Sequence, residues 1–80
     1  MVNNTLICMY HGFTETCKIV IPKYDFSTTI KIDNLEEILN YIKYYNIDLA
    51  ILSGLPMVMD PIAEMITLNC PDTIVQIGEL

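Results

Sequence analysis

The spacing of apolar residues in this chain switches between the two periods a backbone can present, and that switching constrains the fold more than any motif. Residues 28–32 (TTIKI) alternate, with Ile30 and Ile32 on one side and Thr29 and Lys31 on the other, which predicts a half-buried strand. Leu35, Ile38, Leu39, Ile42 and Tyr45 then fall at helical spacing and draw one apolar stripe along a helix ending near Asn46. Asp33 with Glu36 fits a capping box, and Glu36 and Glu37 suit the positive end of the helix dipole. Residues 48–52 (DLAIL) carry no polar break after Asp48, the pattern of a strand covered by helices on both faces. Asp60-Pro61 predicts the start of a second helix, with Asp as cap and Pro at the first helical position, leaving residues 57–59 in a loop. Ile62, Met65 and Ile66 make its inner face, and residues 73–77 (TIVQI) form a last strand.

Upstream, residues 5–10 (TLICMY) and 16–21 (TCKIVI) read as two strands of a hairpin, joined by a turn over residues 11–15 and stopped by Pro22. The succession β-β-β-α-β-α-β predicts a small mixed α/β sheet, in which an N-terminal hairpin is followed by a parallel βαβαβ unit. With 80 residues, the chain makes one domain over residues 1–80.

Charge excludes some partners. Ten acidic residues against four Lys, with no Arg, give a net charge of −6. Phosphate and base edges are read largely by the planar fork of Arg, so direct binding to nucleic acid or to an anionic membrane surface is not expected. No positive charge precedes the first apolar run and no apolar stretch is long enough to span a bilayer, so a cytoplasmic setting is expected. There Cys8, Cys17 and Cys70 would be reduced, small buried hydrophobes.

Chemistry-bearing constellations are sparse. Cys8-x-x-His11 has a metal-like spacing, but on a strand these side chains point to opposite faces, so neither metal nor other cofactor is expected. A small enzyme built on a Cys and His11, the single His, stays as a third reading. Ser53 stands in Leu52-Ser53-Gly54, outside the G-x-S-x-G elbow of hydrolases. Ligands of parallel sheets bind beyond the carboxyl ends of the strands, which makes a rim of Asn34, Ser53, Gly54 and Gly78 the alternative, a small-molecule-sensing site. The apolar strand after Asp48, the loop with Pro56, Met57 and Met59, and the helix from Asp60 resemble the middle of a response-regulator receiver domain, over residues 28–78. The resemblance implies a degenerate, receiver-like regulatory fold without phosphotransfer, since the phosphoacceptor position falls on Ser53 and no magnesium-binding acidic pair follows the first strand.

Hydrophobic residues make up 52% of the chain and charged residues 18%, against about 25% charged in a usual soluble domain. Some apolar surface is therefore expected outside, where it serves contact. Glu37, Tyr41 and Tyr44 lie opposite the inner stripe of the first helix, and Met57, Val58 and Met59 give the following loop an adaptable apolar segment. These residues point to a non-enzymatic protein-binding module, self-associating as a homodimer or holding a protein partner. Its size, its acidity and an Ile-rich, Arg-free composition fit a small phage- or mobile-element-encoded inhibitor of a host or defence protein.

Overall fold

The computed structural model describes residues 4–78. Gly12, at φ +57°, takes the first central position of a two-residue turn that matches the twist of the strands it joins. This turn is shorter than the sequence suggests, so the strands reach further: β1 (Thr5–His11) pairs antiparallel with β2 (Thr14–Ile21) from Thr5↔Val20 to His11↔Thr14. Pro22 opens a single 3₁₀ turn, Pro22–Tyr24, and Asp25 in the left-handed region reverses the chain. β3 (Phe26–Lys31) therefore begins two residues before the alternating TTIKI segment and pairs antiparallel with β2.

Helix α1 (Leu35–Tyr45) buries Ile38 and Ile42, and leaves Leu39 and Tyr45 half-buried. Its cap is Asn34 and not Asp33. No side-chain cap to the backbone forms, because the Asn34 amide donates to the Glu37 carboxylate instead. Asn46, at φ +51°, closes the helix, and the amides of Asn46 and Ile47 both donate to the Ile42 carbonyl. β4 (Leu49–Gly54) follows, then α2 (Pro56–Asn69) and β5 (Ile74–Gly78).

The second helix starts earlier than Asp60. Extended backbone at Leu55 and Pro56 at the first helical position set its entry, and Val58 and Met59 donate to the Leu55 carbonyl. Pro61 consequently lies inside the helix, where it removes the amide that would bond to Met57. Of the two prolines, Pro56 and not Pro61 takes the first helical position.

The sheet order is β3-β2-β1-β4-β5. The small mixed α/β architecture is as expected, but the parallel unit is assembled differently. β1 inserts beside β4, so the parallel part is β1-β4-β5, and β3 lies at the far edge beyond the antiparallel pair. The crossovers decide where the helices lie. The β3-to-β4 and β4-to-β5 connections both advance in the same direction across the sheet, so right-handed connections put both helices on one face.

Side chains on that face interlock with Ile38, Ile42, Met59, Ile62 and Ile66: Leu6, Cys8, Cys17, Ile19, Ile21, Ile30, Ala50 and Leu52. Cys8 and Cys17 stand directly opposite one another in the hairpin and form a disulfide, while Cys70 is a buried thiol. The expectation of three free thiols is corrected for two of them, because the hairpin register brings their side chains together on the same face.

Among the described residues no helix packs on the opposite sheet face, although Ser53 on it is enclosed beside His11. β4 is therefore covered by helices on one side only, with Leu49 and Ile51 half-exposed on the other. By the pleat, the open face carries Ile7, Met9, Leu49, Ile51 and Ile74 on the parallel half, and Thr16, Lys18, Ser27, Thr29 and Lys31 on the antiparallel half. Among the described residues no helix is long and apolar enough to cross a membrane.

Candidate functional site

The outer end of α1 gathers the aromatic side chains. Tyr41, Tyr44 and Tyr45 stand at i, i+3 and i+4, so they meet on one side of the helix. Tyr45 is the centre. Its ring stacks on Phe26 of β3 at 5.6 Å and on Tyr41 at 5.9 Å, and meets Tyr44 edge-on at 4.8 Å. Offset stacks and edge contacts at these separations are the favourable geometries of aromatic pairs. The backbone behind the cluster is held by Asn4, whose amide side chain donates to the Tyr45 carbonyl at 2.8 Å.

The cluster is not enclosed. Tyr44 is 78% exposed and Tyr24, on the 3₁₀ turn, is 66% exposed. Two grooves flank the Tyr44–Tyr45 pair. One, of about 660 Å³, is lined by Asn40, Tyr41, Lys43, Tyr44 and Tyr45. The other, of about 410 Å³, is lined by Asn4, Lys23, Tyr24, Tyr44, Tyr45 and Asn46. Lys23 reaches over the Tyr24 ring, 5.7 Å from its centre. Among the described residues no carboxylate lines either groove, although Lys43 also borders a third groove that holds Asp48 and Asp72.

Of the residues singled out by sequence, Glu37 is half-buried and bonded to Asn34, and Tyr41 is half-buried against Tyr45. Tyr44 is the one tyrosine of the pair that faces outward. Met57 is 88% exposed, Val58 half-buried, and Met59 fully enclosed. Met59 is thereby removed from any contact surface: because the helix starts at Pro56, Met59 falls one turn before Ile62 and Ile66 on the inner side. Met57 lies instead with Glu64 and Leu68 on the outer side of α2. Met57 and Tyr44 do not form one patch, since Tyr44 lies where β4 begins and Met57 where it ends. Tyr24, Tyr45 and Phe26 were missed as members of the aromatic site. Tyr45 reads as core from its spacing, and Phe26 enters only through the sheet register.

The rim residues do not converge. Asn34 lies at the start of α1, beyond β3, and its side chain is committed to Glu37. Gly54, at φ +143°, sits so close to β1 that a Cβ there would be 2.6 Å from the Tyr10 carbonyl oxygen. Gly78 is exposed at the end of β5. Ser53 is fully buried, and its hydroxyl lies 2.7 Å from His11 Nε2. Sequence reasoning treated these two residues separately. The parallel register sets Met9 against Ser53, and His11, two residues on, shares that face.

A serine and a histidine at this distance resemble part of a hydrolytic triad, but the enclosed hydroxyl offers a substrate carbonyl no approach, and no carboxylate is bonded to the His11 ring among the described residues. The contact satisfies a buried hydroxyl. Cys8 and Cys17 face the core as a disulfide, and Cys70 lies at the end of the sheet opposite His11, so no thiol meets the imidazole. Among the described residues no group of three His, Cys, Asp or Glu side chains could hold a metal. Compared with known proteins, the chain matches no family model, no curated protein and no solved structure.

Proposed function

We propose that this chain is a non-enzymatic protein-interaction module that acts by covering a partner's surface with the tyrosine face of α1. The observation that carries the reading is Tyr44, 78% exposed yet propped edge-on against Tyr45, the half-buried centre of an aromatic stack. A rigid aromatic body with a polar tip gives large contact area at a low entropic cost, which is why tyrosine is enriched at the centres of interfaces. The grooves on either side would receive apolar side chains. Lys23 and Lys43, the charged side chains in the linings of these two grooves, favour a partner segment that bears acidic groups.

The test is capture of a specific partner from the native cell by the wild-type chain, by Tyr44→Ala and by Lys43→Glu. Tyr44→Ala leaves the core intact and should weaken a true contact by about 30-fold or more, the effect of a hot-spot truncation of at least about 2 kcal/mol. Lys43→Glu should weaken it further at low salt than at high salt. Equal capture by all three chains refutes the reading.

A further inference from the structure

β5 is an edge strand, bonded to β4 and to nothing on its other side among the described residues. The amide of Ile74 donates to the Asp48 carbonyl at 2.9 Å, so Ile74, Gln76 and Gly78 turn their backbone groups toward β4. By alternation, Val75 and Ile77 turn theirs outward. Soluble proteins guard such an edge with lysine, proline, a bulge or a covering loop. β5 reads Ile-Val-Gln-Ile-Gly, with no charge and no proline. The opposite edge, β3, has Ser, Thr and Lys side chains. Two of the apolar side chains of β5 are exposed, Ile74 at 64% on the open face and Ile77 at 55% on the helix side.

We propose, beyond the contact at Tyr44, that β5 pairs antiparallel with β5 of a second copy about a twofold axis at Gln76, joining two five-stranded sheets into one. The strand is complementary to itself in this register. Val75 and Ile77 of the partner subunit exchange both outward backbone bonds, and the symmetric pair does the same. Their side chains meet on the helix side, where α2 flanks the seam. On the open face, Ile74 lies opposite Gly78 of the partner subunit, and the space above Gly78 is empty: a Cβ there would have nothing within 4 Å. Gln76 meets its own mate at the axis. No charged side chain of β5 faces another, which matters for two bodies that each carry −6. An unrelated partner strand would have to reproduce this neutrality and the gap over Gly78, and β5 supplies both.

Sedimentation of the full chain tests the pairing. The wild type should sediment at twice its 9.1 kDa mass, and the dimer should tighten as salt screens the mutual repulsion. Ile77→Pro removes an outward amide that β4 does not use, so it should yield a folded monomer whose thermal midpoint no longer rises with protein concentration, as the wild type's should. Gln76→Cys should cross-link to its mate under mild oxidation, whereas Ile74→Cys, opposite Gly78, should not. A wild type that stays monomeric at every concentration, or an Ile77→Pro chain that still dimerises, overturns the pairing. If Ile77→Pro fails to fold, the cysteine pair decides: cross-linking at Ile74 and not at Gln76 rejects this register. These outcomes are independent of partner capture through Tyr44.

Discussion

Replacing Gly54 by alanine should destabilise the fold more than the same change at either other glycine, and the reason is local. Gly54 sits at φ +143°, a region that L side chains rarely enter, at a conformational cost of about 1–3 kcal/mol. Its new Cβ would stand 2.6 Å from the Tyr10 carbonyl oxygen and 2.9 Å from the Tyr10 Cβ. That carbonyl belongs to the backbone of β1, which is pinned between β2 and β4, so relief requires moving a central strand. Overpacking of this kind adds about 1–3 kcal/mol. The total, about 4 kcal/mol, is a large part of the about 4–12 kcal/mol that an 80-residue domain holds. Gly12→Ala meets nothing within 4 Å and bears only the left-handed penalty at φ +57°, about 1 kcal/mol. Gly78→Ala should change stability by less than about 0.5 kcal/mol. Urea unfolding followed by circular dichroism ranks the three. With a slope of about 1 kcal/mol/M, the Gly54→Ala midpoint should fall by about 4 M, or the chain should be unfolded in buffer. A Gly54→Ala midpoint equal to that of Gly12→Ala would refute the claim that β1 and β4 are in close register at Tyr10.

Two further outcomes test other joints of the fold. Thr73→Val deletes the buried bond from Thr73 Oγ1 to the Ile47 carbonyl, 2.9 Å long, which ties the start of β5 to the start of β4. It should cost about 1–2 kcal/mol, lowering the thermal midpoint by about 4–8 °C per kcal/mol; an unchanged midpoint would show that the bond adds nothing. Thiol titration of the denatured, unreduced chain should count Cys70 alone, and all three cysteines only after reduction; three thiols before reduction would contradict the Cys8–Cys17 bond.

Local pattern made the elements legible and left their assembly open. Ile30 and Ile32, both buried, announced β3 through alternation, and Ile38 and Ile42 announced the inner side of α1 through helical spacing. The hairpin was visible because Gly12 stands between two apolar runs. What the pattern could not carry is pairing at a distance. Nothing local to β1 says that it inserts beside β4, and from that placement follows the contact of His11 with Ser53. The unbroken run of β4 looked like a strand covered twice, yet Leu49 and Ile51 are half-exposed because both crossovers close over one face. Two prolines competed for the start of α2, and the choice of Pro61 over Pro56 moved Met59 from a loop into the core. The aromatic site was half legible: Tyr44 outward and Tyr41 beside it, but Tyr45 assigned to the core stripe and Phe26 to a connector.

Hydroxyl-radical footprinting of the isolated chain and of its captured complex tests the central claim, that Tyr44 is outside because a partner covers it. In the isolated chain Tyr44 and Phe13, both exposed, should be labelled and Met59 should not. In the complex, Tyr44 should become protected while Phe13, at the tip of the hairpin, keeps its labelling. Tyr44 labelled to the same extent in both would contradict the account.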